Sequence, residues 1–323
     1  MKAITYHRYG GPDVLELEEV DDPVVNDDDV LVRVRAASAN PRDWHFMRGM
    51  PYFMRAQFGL RRPRDRFLGS DVAGQVEAVG KAVTRLKPGD EVFADVLTGG
   101  FAEYTRVPEA LAAPKPASLT FEQAAAVPLA GLTALQGLRD HGRVQPGQKV
   151  LIIGASGGVG TFAVQLAKAF GASVTGVCGP TKADLVRSLG ADHVIDYTRE
   201  DFTRSGERYD LVFQLAGTRS PAACRRALTP RGTLLVTSGE SNGRWIGPVD
   251  RVIKAAALSP FVSQRLTPFV ATRSRDDLLF LKGLIESGTV TPVIDRTYPL
   301  SEVPEAIRYL EAGHARGKVV ITV

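Results

Sequence analysis

Within twelve residues, Lys149-Val-Leu-Ile-Ile-Gly-Ala-Ser-Gly-Gly-Val-Gly160, the chain writes a buried strand, a glycine turn and a helix start. Val150 to Ile153 are rich in β-branched residues, as a parallel strand covered on both faces requires. Ala155-Ser156-Gly157-Gly158-Val159-Gly160 is a variant of the G-x-G-x-x-G dinucleotide fingerprint, with alanine for the first glycine. Gly157 removes a side chain where a pyrophosphate must approach the backbone, and Gly160 lets the helix pack on the strand. Val159, Ala163, Leu166, Ala167 and Phe170 fall on one helical face, and Gly171 is placed to stop the helix. Free N–H groups at the positive helix end would hold phosphates.

The following residues supply the context that a lone fingerprint lacks. Strands are expected at Val174 to Val177, His193 to Asp196, Tyr209 to Leu215 and Thr233 to Thr237, with a helix over Thr181 to Leu189 ended by Gly190. Strand and helix alternating at this spacing predict a doubly wound parallel sheet. The second strand ends Val177-Cys178-Gly179-Pro180-Thr181-Lys182, without the acid that grips the ribose 2′-hydroxyl in an NAD site. Lys182 and the Thr181 hydroxyl suit a 2′-phosphate, and Tyr197 is a further candidate beside the adenosine phosphate. Asp184, the nearest acid, is read as a helix cap. NADPH is therefore expected over NADH.

A chain of 323 residues accommodates two domains. Its net charge of +4 does not by itself point to nucleic acid. Met1-Lys-Ala-Ile-Thr-Tyr6 lacks the apolar core of a signal peptide, and no apolar run is long enough to span a bilayer. Cys178 and Cys224, the two cysteines, make no disulfide framework, so a cytoplasmic location is expected. Short strands dominate the first hundred residues: Lys2 to Tyr6, Leu15 to Val20, Val30 to Ala37, Asp71 to Val79, Glu91 to Val96 and Phe101 to Val107. Ile294 to Tyr298 and Lys318 to Val323 again read as strands. Together they predict a mostly antiparallel, barrel-like domain.

The chain resembles the zinc-independent medium-chain dehydrogenases/reductases, close to the quinone oxidoreductases. The resemblance rests on an ordered set: Met1-Lys-Ala-Ile, Ala37-Ser-Ala-Asn-Pro-Arg-Asp43, Leu68-Gly-Ser-Asp-Val-Ala-Gly74, Lys87-Pro-Gly-Asp90, Gly100-Phe-Ala-Glu-Tyr104, Gly131-Leu-Thr-Ala134, the glycine loop, Leu189-Gly-Ala-Asp192 and Arg316-Gly-Lys-Val-Val320. It implies a GroES-like barrel catalytic domain from residues 1–123 and 273–323, an inserted Rossmann domain at 124–272, and an active site in the cleft. It also implies that Thr133, Ala216, Gly217, Ser238 and Lys318 join the loop residues Ala155, Ser156, Gly157, Gly158, Val159 and Gly160 at the cofactor. The zinc enzymes of that superfamily carry a cysteine where this chain resembles them at Asn40, and Gly-His-Glu where it has Gly69-Ser70-Asp71. Asp95-Val-Leu-Thr-Gly-Gly100 lacks the cysteines of their structural zinc site, and none of the five histidines pairs at a ligand spacing.

Without zinc, the reaction should not concentrate charge on one oxygen. A quinone or an α,β-unsaturated carbonyl spreads the charge of an added hydride, so neutral hydrogen-bond donors suffice. Asn40 and Tyr52 are candidate donors, with Asp43 orienting the segment. Each has another reading: Asn40 shapes a turn before Pro41, Asp43 caps a helix from Trp44, and Tyr52 forms a wall. Arg55, Arg61, Arg62, Arg64 and Arg66 with Phe58 and Phe67 read as a solvated loop, as an attractor for an anionic substrate, or as a contact for single-stranded RNA. The last belongs to an alternative in which the chain binds NADPH but catalyses little. Leu266 to Arg273 is expected as the sixth, edge strand of the Rossmann sheet, and the resemblance implies a homodimer joined through it.

Overall fold

The computed structural model describes residues 1–237, 245 and 249–323. Two compact units are distinguished, Met1–Leu132 with Arg273–Val323, and Thr133–Thr272. In chain order, the strands of the N-terminal segment are β1 (Lys2–Thr5), β2 (Glu16–Glu19), β3 (Asp29–Ala39), β4 (Asp71–Val79), β5 (Glu91–Asp95), β6 (Tyr104–Pro108) and β7 (Ala113–Pro114). The inserted segment carries β8 (Lys149–Ile153), β9 (Ser173–Cys178), β10 (His193–Asp196), β11 (Tyr209–Gln214), β12 (Leu228–Val236) and β13 (Arg265–Pro268). The C-terminal return adds β14 (Ile294–Pro299) and β15 (Lys318–Thr322).

In the first unit the order is β14-β15-β3-β4-β5-β7, with β6 also on β3. The N-terminal segment and the C-terminal return meet in this sheet, because β15 runs antiparallel to β3 with Val319 opposite Ala39 and Ile321 opposite Ala37. Val30, Val32 and Val34 of β3 face the core while Arg33 and Arg35 face out. From Ala36 onward the alternation stops and every residue is buried, which is where polar side chains gather. Phe101 joins neither β5 nor β6: its N–H donates to Leu68 O (3.0 Å), so β6 starts three residues later than expected. Residues 124–132 go with this unit, and the Leu129 N–H donates to Asp71 Oδ1 (2.9 Å). The long gap after β3 holds a helix, Pro41–Arg48, that begins three residues before Trp44. Pro41 suits a first helical position because its missing N–H would have no partner there, and Gly49 (φ +58°) ends the helix.

The second unit's sheet is wholly parallel in the order β10-β9-β8-β11-β12-β13. That is the doubly wound arrangement, whose order reverses between β8 and β11. The helix after β8, Gly158–Ala169, differs from the expected one-faced helix: Val159 and Phe170 are half-buried, while Thr161, Phe162, Val164 and Gln165 are buried with the rest. It is enclosed on nearly all sides, so a periodic apolar stripe understates its burial. After β9 the chain forms a short turn, Pro180–Lys182, and then the helix Ala183–Ser188. Asp184 does not cap that helix; it lies in its first turn and pairs with Arg187 (2.9 Å). β13 ends at Pro268, where a missing N–H breaks the ladder least, so the expected strand through Arg273 is cut short.

Candidate active site and cofactor loop

In the first unit the buried strand ends bring charge into the core. Asp71 opens β4 opposite Ser38 of β3 and Asp95 of β5, and Lys318 opens β15. Asp71 Oδ2 accepts from Ser38 Oγ (3.0 Å), Asn40 Nδ2 (3.0 Å) and Lys318 Nζ (3.2 Å). Lys318 also donates to Asn40 Oδ1 (2.5 Å), and Asn40 Nδ2 to Ser38 O (3.1 Å). A second tier rests on Asp43, whose Oδ2 accepts the Asn40 N–H (2.7 Å) and whose Oδ1 accepts from Ser70 Oγ (2.8 Å). Arg42 donates to both oxygens of Asp95 (2.8 and 3.0 Å).

Three buried carboxylates, Asp43, Asp71 and Asp95, thus share two cations, Lys318 and Arg42. Loss of hydration pushes the Asp43 carboxyl up to about 7, against the Ser70 and Asn40 hydrogen bonds that hold it down; the Asp71 charge adds to the rise and Arg42 opposes it. Burial also raises Asp95, with Arg42 opposing.

This geometry revises three expectations. Asn40 has both amide hydrogens and its oxygen engaged inside the chain, so in this arrangement none is left to donate to a substrate. Asp43 is the third residue of its helix, not the cap of one starting at Trp44, and reaches back to the Asn40 N–H at the helix entry. Lys318, expected at the cofactor, is 3% exposed and committed to Asn40 and Asp71. Tyr52 lies in the following turn, half-buried, with the Arg55 guanidinium 4.5 Å from its ring centre and 4.4 Å from that of Tyr9. Asp71 and Ser38 were not anticipated. Their signal is a charged or hydroxyl residue inside an apolar strand, the pattern that also marks Lys318 before Val-Val-Ile.

In the second unit the loop after β8 turns at Gly154 (φ +87°), where a Cβ would lie 2.7 Å from that of Ala216. The left-handed residue therefore precedes the fingerprint, which is why alanine is tolerated at 155. A Cβ on Gly160 would meet Gly154 O at 2.1 Å, so this glycine is imposed by helix–strand contact. Gly157 is different: its φ of −83° suits any residue, and a Cβ would find nothing closer than Gly154 O at 3.5 Å. No atom of the described residues requires glycine there, and the open space at the helix N-terminus fits a dinucleotide phosphate.

Other expected cofactor residues cluster at the same sheet edge. Ala216 and Gly217 (φ +81°) follow β11, at the point where strand order reverses. Gln214 Oε1, buried at the end of β11, has no hydrogen-bond partner among the described residues and could accept a ligand hydroxyl. Thr181 is exposed and Lys182 half-buried beyond β9, and Tyr197, 64% exposed, lies with its phenol 3.6 Å from where a Gly179 Cβ would be. Asp196, at the end of β10, is held by Thr198 N (2.9 Å) and Oγ1 (2.7 Å). Ser156 is buried and Thr133 half-buried in the helix Pro128–Gln136. Ser238 lies outside the described residues.

Among the described residues, no group of three His, Cys, Asp or Glu is placed to hold a metal ion, and no helix is long and apolar enough to cross a membrane. The sequence matches the alcohol dehydrogenase GroES-like domain over residues 26–117 and the zinc-binding dehydrogenase model over 189–321. It is 39% identical to the 2-methylene-furan-3-one reductase of Solanum lycopersicum over 335 residues, covering 99% of this chain and 79% of that protein. It is also 39% identical to the chloroplastic NADPH-dependent alkenal/one oxidoreductase of Arabidopsis thaliana over 340 residues, with the same coverage. Among solved structures, the Escherichia coli quinone oxidoreductase complexed with NADPH superposes over the whole of both chains with a TM-score of 0.86 at 28% identity. A GroES-like sheet shared by the N-terminal segment and the C-terminal return, a doubly wound nucleotide sheet and these relatives together make the chain a member of the medium-chain dehydrogenase/reductase family, among its quinone oxidoreductases and enone reductases.

Proposed function

We propose that this protein reduces quinones or α,β-unsaturated carbonyl compounds with NADPH and without zinc. The observation that carries the reading is the buried network of Asn40, Ser70, Asp71 and Lys318. By the sequence resemblance Asn40 and Ser70 correspond to metal ligands of the family's zinc enzymes, and here they are hydrogen-bonded within the chain. An amide and a hydroxyl are poor zinc ligands beside thiolate and imidazole. NADPH, when bound, supplies the hydride.

The chain's residues do the rest. The loop from Ala155 to Gly160 receives the pyrophosphate, and Thr181, Lys182 and Tyr197 the adenosine phosphate. The carboxylate network fixes the entry of the Pro41–Arg48 helix, and with it the turn that carries Tyr52. Tyr52 donates a hydrogen bond to the acceptor oxygen as negative charge spreads over the conjugated system. One proton from the phenol or water completes the reduction, giving a hydroquinone or a saturated carbonyl.

The test is NADPH oxidation against a panel of quinones, 2-alkenals and simple ketones, and NADP+ reduction against simple alcohols, before and after dialysis against a strong chelator. Turnover of the conjugated acceptors alone, undiminished by the chelator, is expected. Activity that requires one zinc per chain would overturn the zinc-free part, and preference for a simple alcohol the substrate part.

A further inference from the structure

The arginines of the 61–67 segment take no part in that reaction. Arg62, Arg64 and Arg66 line a surface cavity of about 590 Å³ in the first unit, whose wall also carries Tyr6, His7 and Phe67. The wall's one acid, Asp65, is occupied, accepting the Phe67 N–H (3.0 Å) and the Thr98 hydroxyl (2.6 Å). Glu18, which feels the Arg66 charge, is held by Thr5 Oγ1 (2.7 Å) and His7 Nε2 (3.1 Å). Arg64 donates to Gln57 O (3.1 Å) and Arg66 lies over the Phe67 ring (5.3 Å), contacts that aim the guanidinium groups without neutralising them. None of the three arginines forms an ion pair with a described residue.

Tyr6 is an independent observation. It is 4% exposed, lines the same cavity, and its hydroxyl makes no hydrogen bond to any described residue. The ring is buried while the hydroxyl opens to the cavity, where it presents a donor. Burial, with the carboxyl groups of Asp65 and Asp43 nearby, keeps it protonated and so a donor. Like-charged guanidinium groups on one cavity, beside a neutral donor that faces it, form the complement of a compact dianion.

We propose that this cavity binds the phosphate of a phosphomonoester, with the guanidinium groups and the Tyr6 hydroxyl donating to its oxygens. The cavity exceeds the size of a single phosphate, and Phe67 offers an apolar wall to an organic remainder. The same group occurs on soluble metabolites and on the phosphatidic acid headgroup.

The experiment uses the full chain saturated with NADPH, so that the cofactor's own phosphate sites are filled. Phenyl phosphate is titrated by calorimetry, and vesicles of phosphatidylcholine with phosphatidic acid are tested by flotation. Binding of phenyl phosphate should weaken about tenfold or more in the Arg62→Ala, Arg64→Ala, Arg66→Ala variant and about threefold to tenfold in Tyr6→Phe, with quinone turnover unchanged in both. Binding of the soluble ester alone assigns a metabolite, and of the vesicles alone a lipid headgroup; either supports the site if Tyr6→Phe weakens it. No saturable binding of either probe, or equal affinity in wild type and the triple variant, would overturn it. So would tighter binding of single-stranded RNA that is insensitive to Tyr6→Phe.

Discussion

Asp43 shows how one side chain links the site to pH. Its folded pKa of about 7 lies above the ordinary aspartate value of 3.8, so the folded state favours the protonated form. The stability it contributes is therefore full below pH 4 and is lost as pH rises towards 7. When protonated, Asp43 can donate to Ser70, whose hydroxyl turns to accept. Asp43→Asn mimics the neutral form, and denaturant titrations from pH 4 to 8 should show a flatter profile than wild type, relieving a penalty of about 2–4 kcal/mol at the alkaline end. An unchanged profile would mean that Asp43 is ionised in the fold throughout. Lys318 poses the converse case. Lys318→Met leaves Asp71 buried without its cation and should destabilise by about 3–5 kcal/mol, with partial recovery on adding Asp71→Asn. A loss below 1 kcal/mol would show that Asn40, Ser38 and the Leu129 N–H satisfy the carboxylate without the cation.

At the scale of elements, the glycine loop separates fold from ligand. Gly160→Ala places a Cβ against Gly154 O and should lower stability by about 2 kcal/mol or more, whereas Gly157→Ala, with room and an ordinary φ, should change it by less than about 1 kcal/mol. Gly157→Ala should nonetheless weaken NADPH binding at least about tenfold, measured by fluorescence titration, because its methyl group fills the cradle. Equal affinity would remove the phosphate from this loop. Beyond β9, Lys182→Ala should weaken NADPH by about 1–3 kcal/mol and leave NADH nearly unaffected. Much of this region is legible in sequence, since a strand, glycine turn and helix are local and each residue's part follows from its neighbours. The Asn40 network is not. Asp71 and Lys318 are 247 residues apart, and only the antiparallel placement of β15 on β3 brings them together. Asn40 reads as a donor until Lys318 and Asp71 are seen to occupy it, and Phe101 reads as strand until Leu68 is seen to take its N–H.

For the whole molecule, the edge of the second unit's sheet is where association of chains is expected. Among the described residues β13 is the terminal strand, paired with β12, and no other described strand lies beside its outer donors and acceptors. Phe261, before the strand in sequence, is 84% exposed and Val270, after it, 77%, so the segments that flank it carry exposed apolar side chains. An edge of that kind is protected in soluble proteins by charge, by proline or by a partner. Pro268 guards only the last position, and Arg265 stands at the first. A second copy meeting β13 across a two-fold axis would continue the sheet antiparallel and bury the flanking side chains, since a two-fold interface is made by one patch facing itself. Light scattering at micromolar concentration should therefore return about twice 34.8 kDa, and Phe261→Asp with Val270→Asp should shift the mass towards one chain while leaving NADPH affinity in place. A single-chain mass for the unaltered protein, independent of concentration, would show that this edge stays open in solution.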